Sequence, residues 1–249
     1  MKLLDKVAVI TGGGTGIGRA TAILFAKEGA DVIICGRRHQ PLDDTVSFIK
    51  AFGGNCMSIP FDVSKSKEVI DAINQIEKIY GRIDILYNNA ADFTSTGKTI
   101  IELSEEEWDY SIQINLKGVF LCCKYVIPLM IKTKGGVIVN CSSISGHIGQ
   151  KKQGTYNVAK GGIELLTKCM ALDFAQYNIR VNSVCPGWVE IDQNREEIKN
   201  NYEKIIELHP IGRVGQPEDV AKTVLFLACD DSSWITGTSV FVDGGYTAQ

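Results

Sequence analysis

The sequence lacks the patterns that indicate a metal centre or a disulfide framework. Its eight cysteines include no C-x-x-C pair, and most of them lie in apolar stretches. The three histidines, His39, His147 and His209, are scattered and match no H-E-x-x-H motif. We therefore predict reduced, mostly buried cysteines and no metal site.

The sequence also lacks an excess of basic charge and long apolar runs. Lysine and arginine number 26 against 29 acidic residues, for a net charge of −3. This balance argues against binding to nucleic acid or to an anionic membrane. No apolar run approaches the ~20 residues of a membrane helix, and Asp5 and Lys6 interrupt the first apolar stretch too early for a signal peptide. We expect a cytoplasmic protein that acts on a small-molecule substrate.

Low-complexity tracts and proline-rich linkers are absent, so we predict a single domain over residues 1–249. Short β-branched runs alternate with segments of helical period, and near-continuous apolar strands between helices are typical of a parallel sheet covered on both faces. The pattern predicts an α/β, doubly wound, Rossmann-type fold. Residues 188–216 are the least regular part and include a charged helix, so we interpret them as a substrate lid. The predicted strands are Val7–Thr11, Asp31–Cys35, Ile83–Asn88, Gly136–Ser142, Ile179–Cys185 and Ser239–Asp243.

Two predicted helices are apolar on more than one face. One runs from about Ser104 to Ile131, and the other begins near Thr155. Helices of this kind pack in a core or against another subunit. An oligomer is therefore expected.

A glycine-rich loop directly follows the first strand and leads into a helix. Glycines permit a tight turn and a close approach of the backbone to a pyrophosphate, which a helix N-terminus favours. The strand, loop and helix context is the one that dinucleotide-binding loops require. The predicted nucleotide-binding residues here are Gly12, Gly14, Thr15, Gly16, Ile17 and Gly18.

A second motif pairs Tyr156 with Lys160, after a strand that ends in serine. Spacing of four places the two side chains on one helical face. Tyrosine ordinarily titrates near pH 10, so we expect Lys160, assisted by the positive ring of a bound oxidised dinucleotide, to lower the pKa of Tyr156 and make it a usable acid and base. Ser143 would hydrogen-bond the substrate oxygen without titrating, with Ser142 as the competing choice.

These motifs resemble the classical short-chain dehydrogenase/reductase family. The first loop matches T-G-x-x-x-G-x-G, and further matches along the chain are Asp62-Val63, Asn88-Asn89-Ala90, Asn115, Pro186-Gly187 and Asp243-Gly244-Gly245. The family spacing from serine to tyrosine selects Ser143. The resemblance implies that Asn115 anchors a proton-relay water, that Lys160 binds the nicotinamide ribose, and that the protein is a homotetramer. Further cofactor contacts implied are Asp62, Val63, Asn89, Ala90, Pro186, Gly187 and Val189.

The end of the second strand bears on cofactor choice. Gly36 stands where NAD-specific relatives carry aspartate, and Arg37 and Arg38 follow. An acid there would bind the ribose 2′-hydroxyl of NAD, whereas arginine binds the 2′-phosphate of NADP. NADP(H) is therefore predicted and NAD(H) is less favoured, although Thr15 replaces the basic residue that many NADP-dependent members carry.

The family's substrates are diverse, so the alternatives stay open. A small alcohol and ketone pair is the leading prediction, with 3-oxoacyl thioester reduction, sugar oxidation or a non-catalytic NADP(H)-sensing module as alternatives. Ile191 occupies the region where relatives often carry a threonine that binds the carboxamide, so the Val189 backbone or Asp192 would have to replace it. Phe93, Trp188, Ile191 and Tyr202 are candidates for an apolar pocket. The C-terminal carboxylate of Gln249 would lie near a subunit interface and meet a symmetry mate through a cation.

Overall fold

A computed structural model describes all 249 residues. Seven strands form one sheet in the order β3-β2-β1-β4-β5-β6-β7, and every pairing is parallel. From β1 the chain adds strands first toward one edge of the sheet (β2, β3) and then, from β4 onward, toward the other edge. Where the direction changes, between β1 and β4, the loops at the carboxyl ends of the strands diverge and leave a crevice. The predicted doubly wound fold is confirmed. The strands are β1 (Val7–Thr11), β2 (Asp31–Gly36), β3 (Cys56–Pro60), β4 (Ile85–Asn88), β5 (Gly136–Cys141), β6 (Ile179–Pro186) and β7 (Ser239–Val242).

Nine α-helices connect the strands and cover both faces of the sheet. Alternate residues along a strand point to opposite faces, so Val9 and Ile33 belong to one buried cluster while Ile10 and Ile34 belong to the other. This explains the near-continuous apolar strands. The helices are α1 (Gly16–Lys27), α2 (His39–Ala51), α3 (Ser66–Tyr80), α4 (Glu105–Ile112), α5 (Gly118–Lys132), α6 (Gly154–Phe174), α7 (Arg195–Asn200), α8 (Tyr202–Glu207) and α9 (Pro217–Ala228).

The long helix predicted from Ser104 to Ile131 is interrupted. Ser104 caps α4 through a reciprocal capping box with Glu107, and a five-residue π-helical segment, Gln113–Lys117, then joins α4 to α5. Such segments insert an extra residue into the helical repeat and are frequent at functional sites. Asn115 lies in the middle of this one.

The span Glu105–Lys132 meets the length and hydropathy requirements for crossing a membrane, with a mean hydropathy of 1.6 in its most apolar window. Of that window, 61% is buried within the protein, as it would be in the core helix of an α/β domain. The sequence analysis had expected no stretch of this kind. The finding is weak evidence for a membrane helix.

The lid region contains two short helices instead of one charged helix. The helix breaks at Asn201, between α7 and α8. Ile198, Ile205 and Val214 form a small buried cluster of their own, whereas Val189 in the same region belongs to one of the two large clusters. Seven of the eight cysteines are buried and all are free, as predicted, while Cys169 is exposed.

Candidate active site

A cleft of about 940 Å³ opens at the carboxyl ends of the strands. The loop between β1 and α1 forms one wall, where Gly12 and Gly16 have positive φ angles of 68° and 53°. Both angles favour glycine, and the N-terminus of α1 points into the cleft from this loop. Gly12, Gly14, Thr15, Gly16 and Ile17 line the cleft as predicted.

Gly18 does not line the cleft, contrary to the sequence prediction. A Cβ atom at this position would lie 2.2 Å from the carbonyl oxygen of Gly12. Gly18 therefore allows α1 to pack closely against the glycine loop. It contributes to this wall of the cleft only indirectly, through its contact with the backbone of Gly12.

The wall beyond β2 carries the two predicted arginines, and both are exposed at the cleft. Arg37 Nη1 donates a hydrogen bond of 2.8 Å to the hydroxyl of Tyr110, on α4. The sequence analysis missed Tyr110 because the contact joins residues 73 positions apart. Asp62 and Val63 line the same part of the cleft, together with Asn89 and Ala90.

Asn89 also stabilises the glycine loop. Its side-chain amide donates to the carbonyl oxygens of Thr11 and Gly12, at 3.1 and 3.3 Å, and its backbone N–H donates to Thr11 Oγ1 at 2.9 Å. Asn89, which was predicted as a cofactor contact, thus also links the end of β4 to the end of β1 through these hydrogen bonds.

Ser143, Tyr156 and Lys160 meet in the cleft. Ser143 follows β5 and caps a short 3₁₀ turn, while Tyr156 and Lys160 lie on the first two turns of α6. Lys160 Nζ lies 5.4 Å from the centroid of the Tyr156 ring and donates a 2.7 Å hydrogen bond to the Cys141 carbonyl. Ser142 also lines the cleft, but its Oγ donates to the Lys160 carbonyl at 3.2 Å, whereas Ser143 Oγ donates to Ser145 Oγ at 3.1 Å.

Burial dominates the electrostatics of the Tyr156 and Lys160 pair. Burial raises the pKa of Tyr156 above its ordinary value, and the hydroxyl of Ser143 only partly opposes this effect. Burial likewise lowers the pKa of Lys160, which is 1% exposed. In the protein alone, desolvation of the phenolate is the dominant effect on the Tyr156 pKa, whereas the expected lowering needs Lys160 together with a bound oxidised cofactor and stays a prediction.

Asn115 lies behind the cleft wall and is fully buried. Its side chain pairs with the backbone of Asp92 in both directions: Oδ1 accepts from the N–H at 2.8 Å, and Nδ2 donates to the carbonyl at 2.9 Å. Both ends of the amide are occupied, so Asn115 fixes the loop after β4. That loop carries Phe93, whose ring centroid lies 5.3 Å from that of Tyr156.

Beyond β6, Pro186, Gly187 and Val189 line the cleft as predicted. Asp192 forms an ion pair with Arg195 at 3.0 Å and does not line the cleft. Asn194, which the sequence analysis missed, donates to the Val189 carbonyl and accepts from the Ile191 backbone, each at 2.9 Å.

The predicted apolar pocket is only partly formed. Phe93, Trp188 and Ile191 line the cleft, whereas Tyr202 lies on the outer side of the lid beside Arg213. The assignment of Tyr202 to the pocket is therefore wrong; this residue begins α8, directly after the break at Asn201. Two residues that the sequence analysis missed, Lys151 and Lys152, are exposed at the rim.

The comparisons with known proteins agree with this geometry. The family model described as enoyl-(acyl carrier protein) reductase matches residues 12–247. The chain is 44% identical to an uncharacterized oxidoreductase, YxbG, of Bacillus subtilis (strain 168), over 99% of this chain and 93% of that protein. It is 39% identical to the 3-oxoacyl-[acyl-carrier-protein] reductase FabG of Thermotoga maritima, over 98% and 99% of the two chains.

A cyclohexanol dehydrogenase of Acinetobacter sp. (strain SE19) is 38% identical, over 100% of this chain and 97% of that protein. A solved short-chain type dehydrogenase/reductase from Mycobacterium ulcerans superposes with a TM-score of 0.96 at 28% identity, covering 100% of this chain and 92% of that one. The chain belongs to the short-chain dehydrogenase/reductase family.

Membership in the short-chain dehydrogenase/reductase family makes the protein an oxidoreductase of alcohol or ketone groups that uses a nicotinamide cofactor. The residues present fit that cofactor. The glycine loop offers a cradle that side chains would fill, since a Cβ at Gly14 would lie 3.0 Å from Pro41 and one at Gly16 would lie 2.9 Å from Ile191.

Proposed function

We propose that this short-chain dehydrogenase/reductase transfers hydride between NADP(H) and a small alcohol or ketone, with Tyr156 as the acid and base. The observation that carries the proposal is the meeting of Ser143, Tyr156 and Lys160 in the cleft that the glycine loop also lines. Tyr156 is the one tyrosine among the residues that line this cleft.

Each side chain has a distinct task in this reaction. The nicotinamide, when bound, supplies or accepts the hydride. Tyr156 donates the proton to the substrate oxygen during reduction and removes it during oxidation. Ser143 Oγ donates a hydrogen bond to the same oxygen, and the Lys160 ammonium, together with the positive charge of the oxidised cofactor when bound, would stabilise the phenolate.

The replacement Tyr156→Phe tests the proton transfer. It removes one hydroxyl, so we expect turnover to fall by about 10²-fold to 10⁴-fold while NADPH binding is retained. Tyr177→Phe is the matched control, because Tyr177 is 40% exposed and does not line the cleft. Turnover and NADPH fluorescence titration would be measured for both. Retained turnover in Tyr156→Phe would refute the proposed acid and base.

Cofactor preference for NADP(H) follows from the charge at the end of β2. Gly36 supplies no carboxylate there, and Arg37 and Arg38 are exposed at the cleft. Tyr110 orients the Arg37 guanidinium through its hydroxyl. A guanidinium in this place binds a 2′-phosphate through charge-assisted hydrogen bonds, which NAD(H) cannot form.

The replacement Arg37→Ala separates the two cofactors. We expect KM for NADPH to rise by about tenfold or more and KM for NADH to change little, since a hydrogen bond to a charged group contributes about 1.5–3 kcal/mol. Lys78→Ala is the control, because it removes one exposed positive charge on α3 outside the cleft. Equal weakening of both cofactors would contradict the assignment.

A thioester substrate is the second candidate. Lys151 and Lys152 form a basic rim on the cleft, which would favour an anionic acyl carrier or a coenzyme A thioester. A panel of cyclohexanone, acetoacetyl-coenzyme A and glucose, each with NADPH or NADP⁺, distinguishes the substrate classes. If NADPH bound tightly but no compound in a broader panel of alcohols and ketones reacted, a non-catalytic sensing module would replace the enzyme proposal.

A homotetramer is also proposed. Val158, Leu165 and Leu172 on α6 and Phe120 on α5 are exposed, and Leu165 and Leu172 are 66% and 82% accessible in the single chain. Apolar side chains on neighbouring helices are typical of a surface that another subunit covers.

A further inference from the structure

Three metal-binding side chains lie together next to the catalytic residues. His147 follows the turn that Ser143 caps, Glu164 is one helical turn after Lys160 on α6, and Cys185 precedes Pro186 in β6. They are separated by 17 and 21 positions in the chain, so no short motif reveals them. This is why the sequence analysis predicted no metal site.

The distances between the candidate ligand atoms match those around a tetrahedrally coordinated ion. Cys185 Sγ lies 3.3 Å from Glu164 Oε1 and 3.6 Å from His147 Nε2, and His147 Nε2 lies 3.4 Å from Glu164 Oε2. Zinc binds sulfur at about 2.3 Å and nitrogen or oxygen at about 2.0–2.1 Å, which places ligand atoms about 3.3–3.6 Å apart at tetrahedral angles. The three observed separations fall in this range, with Glu164 Oε1 nearest to the sulfur and Glu164 Oε2 nearest to the imidazole. One ligand atom from each of the three residues lies within 4.8 Å of the other two.

The charge of the cluster also suits a divalent cation. Glu164 is 4% exposed, and Ser183 Oγ donates to its two carboxylate oxygens at 3.0 and 2.9 Å, with Ser239 donating as well. These neutral hydroxyls hydrogen-bond the carboxylate oxygens but supply no positive charge. A Cys185 thiolate and the Glu164 carboxylate together neutralise the two positive charges of the ion.

An entry route exists on the histidine side. The His147 side chain is 28% exposed, and its ring packs against Phe241 with the centroids 4.7 Å apart. The contact with Phe241 leaves Nε2 directed at Glu164 and Cys185. Three protein ligands with one remaining position for water form an established type of zinc site.

We propose that His147 Nε2, the Glu164 carboxylate and Cys185 Sγ bind one Zn²⁺ or a similar divalent transition-metal ion, with water as the fourth ligand. Binding replaces the Cys185 S–H bond with a metal–sulfur bond and releases that proton to solvent. The ion would join the Ser143 turn, α6 and β6, and so stabilise the relative positions of the elements that carry the catalytic residues. It takes no part in proton or hydride transfer.

Titration with Co²⁺ tests the site, because a cobalt–thiolate bond gives a charge-transfer absorption band that hydrogen-bonded thiols lack. The full chain should bind one equivalent with this band, and Cys185→Ser should abolish it. His147→Gln should weaken binding by about tenfold or more, since loss even of an outer partner costs metal sites about 10–100-fold. Excess Zn²⁺ should displace the cobalt.

The matched controls are Cys169→Ser and His39→Gln, which alter an exposed cysteine and an exposed histidine elsewhere. Both should keep the band and the affinity. The proposal is overturned if the full chain shows no thiolate band, if the band survives Cys185→Ser, or if His147→Gln binds Co²⁺ as tightly as the unchanged chain. His147 is partly exposed, so we expect His147→Gln to fold. If Cys185→Ser does not fold, the Co²⁺ affinity of His147→Gln tests the metal site. None of these readouts depends on substrate turnover.

Discussion

Replacing Asn115 by alanine separates two roles for this residue. The family resemblance implies a proton-relay role, whereas the structure shows its side-chain amide paired in both directions with the Asp92 backbone, at 2.8 and 2.9 Å. The replacement leaves that N–H and that carbonyl without partners. Each unpaired buried polar group costs about 1–3 kcal/mol. We expect a total loss of about 2–6 kcal/mol in the free energy of unfolding, as the sum over the two groups.

The replacement should also lower kcat, because the loop that carries Phe93 packs against Tyr156. Urea denaturation gives the free energy of unfolding, and steady-state kinetics give kcat and KM. Ser111→Ala is the matched control, since it removes only the third partner of Asn115, at 3.1 Å, and leaves Asp92 paired. We expect a loss of about 0.5–1.5 kcal/mol for this variant.

The outcome that would refute this reasoning is an Asn115→Ala variant with unchanged stability. If such a variant lost turnover, the resemblance-implied role in proton relay would account for Asn115 without the positioning role. If stability and turnover fell together in Asn115→Ala, and Ser111→Ala retained most of both, the hydrogen bonds to Asp92 would account for the role of Asn115.

Three further predictions follow from the site and the surface. Gly18→Ala should abolish tight NADPH binding because its Cβ would lie 2.2 Å from the Gly12 carbonyl oxygen, whereas Gly149→Ala, with open space around it, should bind NADPH normally in the same fluorescence titration. Alcohol oxidation requires deprotonated Tyr156, whose pKa burial raises, so kcat/KM for oxidation should increase as pH rises; a flat profile from about pH 6 to 9 would argue against it. Leu165→Glu should reduce the mass measured by light scattering, whereas the control Ile79→Glu, at an exposed position on α3, should not.

Local sequence patterns determined six of the seven strands and the motifs, whereas β3 (Cys56–Pro60) was not predicted and two predicted helices are interrupted. β1 has the predicted bounds Val7–Thr11, and the other five predicted strands differ from the observed ones by one or two residues at their ends. Glycine spacing and the four-residue interval between Tyr156 and Lys160 are likewise local, because one loop or one helix carries them. These features follow from backbone conformation and hydrophobic period, which neighbouring residues encode.

Only the tertiary structure decided how those motifs are surrounded. Burial is the sum of contacts from distant segments, so the sequence did not reveal that desolvation raises the pKa of Tyr156 in the protein alone. The Arg37 contact with Tyr110 and the cluster of His147, Glu164 and Cys185 arise because parallel strands bring distant loops to one edge of the sheet. The sequence determined which groups the protein possesses; the packing of the sheet and helices decided their neighbours, their charge and their access to solvent.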